Sequence, residues 1–190
     1  MTMQNTAKTL IILDRDGVIN QDSDAYIRSP KQWQPIQGSI EAIAKLKRAG
    51  YLVSVATNQS GIARGLFDLT ALNAMHDKMH ELVHEAGGQI DALMICPHSP
   101  DDHCNCRKPK PGLLLQISAK LHVPLERAYL VGDSLKDLQA AEAAGAKPVL
   151  VKTGKGEITL GQIANHQLSS TPVFDDLAQF VDRLLANKQT

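Results

Sequence analysis

Short apolar runs recur along the chain, each followed by a stretch with helical periodicity, and this alternation constrains the fold more than any other feature. Leu10-Ile11-Ile12-Leu13, Leu52-Val53-Ser54-Val55-Ala56, Asp91 to Ile95, Ala128-Tyr129-Leu130-Val131 and Val149-Leu150-Val151 predict five buried strands. Between them, Ser39 is placed to cap a helix with Ile40, Ile43, Ala44 and Lys47 on one face and a stop at Gly50. Leu72, Met75, Met79, Leu82 and Ala86 predict a helix over Thr70–Ala86 that ends at Gly87-Gly88, with His76, His80 and His84 on its surface. Further helices are predicted over Gly112–His122 and Ser134–Ala144, and a last one carries Leu177, Phe180, Val181, Leu184 and Leu185. Strands alternating with helices predict an α/β, Rossmann-like fold: a parallel sheet with helices on both faces. Ligands of such sheets bind beyond the carboxyl ends of the strands.

A chain of 190 residues has room for one domain with a sizeable core, so residues 1–190 are expected to form a single domain. Twenty basic residues balance twenty acidic ones, which leaves no net positive field for a polyanion and argues against nucleic acid as a partner. One tryptophan, three tyrosines and three phenylalanines offer little for base stacking. The stretch Met1 to Lys8 is mostly polar and lacks the apolar core of a signal peptide, and no apolar run approaches the roughly 18 residues of a membrane span. The expectation is a cytoplasmic protein with no membrane partner, and the neutral charge gives no reason to invoke assembly beyond a monomer.

Reactive residues collect where strands end. The first strand runs into Asp14-Arg15-Asp16-Gly17, the second into Thr57-Asn58-Gln59-Ser60-Gly61, and the fourth into Gly132-Asp133-Ser134-Leu135-Lys136-Asp137. Arg107-Lys108-Pro109-Lys110-Pro111-Gly112 precedes a predicted helix. Crowding Asp14, Asp16 and Asp133 is costly unless a cation sits among them, and hard oxygen ligands suit magnesium. A carboxylate can attack phosphorus as a covalent nucleophile. The Thr57 hydroxyl and the Lys108 ammonium can hold phosphoryl oxygens and neutralise their charge. Any one of these motifs is explained by turns, caps or a solvated lysine; their joint occurrence, in this order, points to phosphoryl chemistry.

All three cysteines lie in Cys96-Pro97-His98-Ser99-Pro100-Asp101-Asp102-His103-Cys104-Asn105-Cys106. Two i, i+2 pairs, Cys96 with His98 and Cys104 with Cys106, make a Cys₃His set suited to tetrahedral, structural zinc with no open position. His103 is out of phase with the second pair. Free cysteines are more usually scattered and buried, which disfavours a simple thiol loop.

Asp14-x-Asp16, Thr57, Lys108 and Gly132-Asp133-x-x-x-Asp137 together resemble the haloacid dehalogenase (HAD) superfamily of phosphotransferases, over about residues 9 to 151. The resemblance implies a HAD-like fold with Asp14 as nucleophile and Asp16 as the acid and later the base. It also implies a magnesium shell of Asp14, Asp133 and the Asp16 backbone carbonyl. No large insertion interrupts the pattern, so no large cap domain is expected and the small zinc-binding loop helps to shape the site. Cys-Pro-His followed by Cys-x-Cys-Arg-Lys-Pro narrows the resemblance to histidinol-phosphate phosphatases and heptose bisphosphate phosphatases. Asn58, Gln59 and Ser60 in Thr57 to Gly65 are similar to the heptose group, since the histidinol group usually has aspartate where this chain has Ser60. That resemblance implies a sugar bisphosphate substrate that loses its C7 phosphate. It also implies sugar contacts from Asp22, Ser23, Asp24 and Tyr26, while Arg107 suits a second phosphate. Val18 and Ser134 depart from common family residues, and the gap between His98 and Cys104 matches the histidinol group. The anomer and the parts played by Asp137 and Lys110 stay open. Histidinol phosphate is the alternative substrate, and a zinc-bearing binding module without catalysis is the non-enzyme alternative.

Overall fold

The computed structural model describes residues 8–163 and 168–187. Most of the N-terminal polar stretch considered above, residues 1–7, lies outside them. The sheet is built outward from β1 (Leu10–Leu13), which pairs in parallel with β2 (Leu52–Asn58) on one side and β4 (Ala128–Gly132) on the other. Beyond these lie β3 (Ala92–Cys96), β5 (Lys147–Val151) and β6 (Val173–Phe174), in the order β3-β2-β1-β4-β5-β6, all parallel.

The unbroken apolar character of β1 follows from its position. Leu10, Ile11, Ile12 and Leu13 are all buried, because helices cover both faces of the sheet. Ile11 and Leu13 pack with α1 (Ser39–Arg48), α2 (Leu69–Glu85) and α6 (Leu177–Ala186), through Ile43, Leu72 and Phe180 among others. Leu10 and Ile12 point the other way, toward Leu114 and Ile117 of α3 (Gly112–Leu121) and Ala140 of α4 (Leu135–Ala144). Each such side chain contributes about 1.5–3 kcal/mol by burial.

Three local readings are corrected. Ser39 is not the cap of α1. The N-cap is Gly38, with φ of 81°, and the buried Ser39 hydroxyl donates instead to the carbonyls of Ile19 and Ile36. The sheet has a sixth strand, the two-residue β6, too short to show a pattern. A five-residue helix, α5 (Gly156–Leu160), follows β5 and also was not predicted. Elsewhere the bounds agree within a few residues: β2 runs on to Asn58, which brings Thr57 inside the strand.

The chain runs β1-β2-β3 toward one edge and then crosses back to place β4 beside β1. The carboxyl ends of β1 and β4 therefore meet at the reversal of strand order, where a crevice opens. The connection 14–38 leads from the end of β1 and the connection 97–111 from the end of β3, and neither contains an α-helix or named strand. Among the described residues, no helix is long and apolar enough to cross a membrane.

Candidate active site

Asp14 is the first residue beyond β1, and it extends the ladder by donating its backbone N–H to the Val131 carbonyl at 2.9 Å. Its carboxylate faces Lys108, whose Nζ lies 2.9 Å from Asp14 Oδ1. Lys108 is buried, and the other directions of its ammonium point to Asp137 Oδ1 at 2.6 Å and to the Ala56 carbonyl at 2.7 Å. Three donors meet three oxygens. Burial pulls the lysine pKa down, but Asp137 and Asp14 outweigh it and hold the ammonium charged well above the ordinary lysine value. Asp137 is itself fixed: its Oδ2 accepts from the Ser134 hydroxyl at 2.6 Å and the Ser134 N–H at 3.0 Å, in the capping box that starts α4. The surface lysine that a lone Lys108 would suggest is therefore a core ion-pair residue, and Asp137, whose part was open, anchors it.

Asp133 sits opposite, in a cradle of backbone. A Cβ at Gly17, where φ is 81°, or at Gly154, where φ is 58°, would run into the Asp133 carboxylate. Asp133 Oδ2 accepts the Lys155 N–H at 2.7 Å. Oxygens of Asp14, Asp133 and Asp137 lie within 4.8 Å of one another. Burial, then the charge of Asp137 and Asp14, pushes Asp133 up to about 8; burial and the carboxylates of Asp137 and Asp16 raise Asp14 to about 7 against the pull of Lys108. With Asp137 occupied by Lys108 and Ser134, the pair Asp14 and Asp133 is left crowded and under-neutralised. Such oxygens fit a hard divalent cation.

Asp16 is held by a different set. Arg15, which is fully buried, donates from Nη2 to Asp16 Oδ1 at 2.8 Å and Oδ2 at 3.0 Å, and from Nε to Oδ1 at 3.1 Å. Asn20 donates to Oδ1 at 2.8 Å and Gln59 to Oδ2 at 3.0 Å. Gln59 also donates to the Thr57 hydroxyl at 2.9 Å, so Thr57 and Asp16 share one amide. On the far side of Arg15, Nη1 lies 3.4 Å from His76 Nε2. His76 was expected on the surface of its helix; it is 7% exposed and faces inward, whereas His80 and His84 are exposed. Its place four residues after Leu72 and three before Met79 puts it on the apolar face, which is the cue that could have located it.

Asp14, Asp16, Thr57, Gln59, Lys108, Asp133 and Asp137 line one cleft of about 730 Å³, joined by Asp22, Ser23, Asp24, Tyr26, Ser60 and Arg107, while Arg15, Asn20 and His76 lie behind it. Asn58 reaches the cleft but uses both ends of its amide on the Lys108 backbone, at 3.1 Å each, and so fixes that residue's position. Lys155, which the sequence reading did not single out, projects across the cleft to Asp24 at 3.3 Å and Asp22 at 3.5 Å.

Beside the cleft, Cys96, His98, Cys104 and Cys106 bring their ligand atoms within 4.8 Å of one another. The sulfur pairs are 3.3, 3.4 and 3.6 Å apart, and His98 Nδ1 lies 3.3 Å from Cys106 Sγ and 3.7 Å from Cys96 Sγ. Four atoms around a tetrahedral ion at ~2.3 Å would stand roughly 3.8 Å apart, so the set can close on one metal with little movement. Burial pushes the Cys96 thiol up to about 12. At Cys104 burial also pushes upward, but the Arg107 N–H and the neighbouring thiols outweigh it and leave the thiol at about 6. His103 is outside the set and exposed. Lys110 secures the loop by donating to the carbonyls of Cys104 at 2.7 Å and His103 at 3.1 Å, and Arg107 donates to the His98 carbonyl at 3.2 Å.

A family profile described as HAD-hydrolase-like matches residues 105–180. A D-glycero-beta-D-manno-heptose-1,7-bisphosphate 7-phosphatase of Pseudomonas aeruginosa is 55% identical over 94% of this chain and 99% of that protein. The enzyme of the same name from Neisseria meningitidis serogroup A is 53% identical over 90% of this chain and 91% of its own. A crystal structure of the D,D-heptose 1,7-bisphosphate phosphatase of B. bronchiseptica, complexed with magnesium and phosphate, superposes with a TM-score of 0.90 at 52% identity, covering 94% of this chain and 99% of that one.

Proposed function

The chain belongs to the HAD-like hydrolases, among the heptose 1,7-bisphosphate 7-phosphatases, and from that premise we propose that it removes the 7-phosphate of D-glycero-β-D-manno-heptose 1,7-bisphosphate. The observation that carries the chemistry is the cluster in which Lys108 bridges Asp14 and Asp137 beside the cradled Asp133.

Asp14 attacks the phosphorus of the 7-phosphate. As the Asp14–phosphorus bond forms, the bond to the C7 oxygen breaks, its electron pair stays on that oxygen, and Asp16 supplies the proton. The heptose 1-phosphate leaves. Asp16, now a carboxylate, takes a proton from water, whose oxygen bonds to phosphorus as the bond to Asp14 breaks. Lys108 and the Thr57 hydroxyl hold the phosphoryl oxygens throughout. Magnesium, held by Asp14, Asp133 and the Asp16 backbone carbonyl, would supply neutralisation of the transferring group.

Arg107, half-buried at the cleft, takes the phosphate at C1, and Asp22, Ser23, Asp24 and Tyr26 with Ser60 meet the sugar hydroxyls. The cysteine–histidine set holds structural zinc. We read residues 1–190 as one domain that works as a cytoplasmic monomer. The β anomer is proposed because the relatives of this chain carry it in their names.

Phosphate release with magnesium, measured on the β and α heptose bisphosphates and on histidinol phosphate, tests the proposal. The β bisphosphate should show the highest kcat/KM; a higher value for histidinol phosphate would reject the substrate.

A further inference from the structure

We infer that His76 is a positioning residue for proton transfer: it holds Arg15, and through Arg15 it holds the Asp16 carboxylate. The inference deepens the proposed function and rests on Asp16 being its general acid.

Arg15 is fully buried and lies between the two catalytic aspartates, yet it touches only one of them with its side chain. A guanidinium is planar and can only donate. Its Nε and Nη2 are committed to Asp16, and its remaining nitrogen, Nη1, faces His76 Nε2 at 3.4 Å. Nε2 must then be the acceptor, and the ring proton sits on Nδ1. Burial, with the charge of Arg15 second, pulls His76 down to about 4, which keeps the ring neutral and Nε2 free to accept.

Without that acceptor, Nη1 would keep no hydrogen-bond partner among the described residues, and the guanidinium would tilt to find one. Its plane is what sets the three bonds to Asp16. His76 is rigid in turn, because it lies in α2 between Met75 and Met79, both buried against the sheet. The packing of one helix thus reaches the acid–base carboxylate through two side chains that are 61 positions apart in sequence.

Orientation of Asp16 matters only where its proton matters. When the phosphorus–oxygen bond breaks, a sugar alkoxide is a poor leaving group and needs the proton as it departs. p-Nitrophenolate leaves readily without one. Because kcat/KM reports only as far as departure of the leaving group, before Asp16 acts as base on water, a loss of positioning lowers it for the sugar substrate and spares it for p-nitrophenyl phosphate, whereas general damage to the fold lowers both alike.

The test compares kcat/KM for heptose bisphosphate and for p-nitrophenyl phosphate in His76→Asn, His76→Gln, Asp16→Asn and the exposed control His80→Ala, with thermal midpoints alongside. Glutamine can place its oxygen near the position of Nε2; asparagine is too short. His76→Asn should lose about ten-fold on the sugar and stay within about two-fold on the aryl ester, a part of the ~10²–10⁴ that general acid–base catalysis supplies. His76→Gln should recover most of the sugar activity, and His80→Ala should match the parent. If His76→Asn does not fold, His76→Leu, which fills the space without an acceptor, replaces it. Equal losses on both esters, or no recovery with glutamine, overturn the inference while leaving Asp16 its role. An Asp16→Asn variant whose loss is the same on both esters overturns the role of Asp16 and the inference with it.

Discussion

The Lys108 ammonium lies 2.6 Å from Oδ1 of Asp137, a carboxylate with no solvent exposure. Asp137 lies at the cleft with its oxygens taken by Lys108 and Ser134; its work is to keep Lys108 charged and aimed at Asp14. Removing one partner of a buried ion pair typically costs about 3–5 kcal/mol, because the other charge is stranded. Asp137→Ala should therefore lower the thermal midpoint by several degrees, roughly 2–4 °C per kcal/mol for a chain of this size, and should lower kcat as well. An unchanged midpoint would show that the pair is not what holds Lys108.

The crowding of Asp14 and Asp133 makes a prediction about pH. Both acids are raised in the fold, to about 7 and about 8, from an ordinary value of 3.8. Between those limits the folded protein binds protons that the unfolded chain has released, so the pair's contribution to stability falls as pH rises through this window. Magnesium binds the deprotonated pair and reverses that loss. Added magnesium should raise the unfolding midpoint of metal-free protein more at about pH 8 than at about pH 5. Equal shifts at both values would argue that the cation binds elsewhere.

Much of this site could be read from the chain alone. Parallel strands buried on both faces must be continuous apolar runs, so β1 and β4 were visible, and with them the positions of Asp14 and Asp133 at their ends. The cysteine–histidine cluster was visible because all four residues fall within one short stretch. What was hidden depends on partners distant in sequence. Nothing in the sequence pairs Arg15 with His76, and the part of Asp137 stays open until Lys108 is seen beside it. The hydroxyl of Ser39 looked like a cap because the carbonyl of Ile19, twenty residues earlier, was not yet next to it. β6 makes only two residues of pairing with β5, and so short a segment has no period to detect.

The cysteine–histidine loop is tied to the cleft by Arg107, which lines the cleft and donates to the His98 carbonyl, and is braced by Lys110, which donates to the Cys104 and His103 carbonyls. Zinc should be found at one per chain in protein purified without chelators. Cys104→Ser should raise KM and lower kcat by loosening Arg107 and Lys108, while the sheet stays folded by circular dichroism. Full activity in that variant would separate the loop from the chemistry.

Arg107 should recognise charge at the far end of the substrate. A hydrogen bond to a charged group contributes about 1.5–3 kcal/mol, or roughly 10- to 100-fold in affinity. Arg107→Ala should lower kcat/KM for the bisphosphate by that order and leave heptose 7-phosphate nearly unaffected. A loss of equal size on both substrates would place Arg107 at the transferring phosphate instead.

Covalent capture of the phosphoryl group on Asp14 tests the mechanism most directly. In Asp16→Asn, loading from p-nitrophenyl phosphate needs no proton donor while breakdown of the intermediate is slowed, so rapid acid quench after mixing with that ester should trap it, and peptide mapping should find the added phosphate on the peptide that contains Asp14. Phosphate on any other residue, or a variant that turns substrate over while its Asp14 peptide is never modified, would contradict a nucleophilic Asp14.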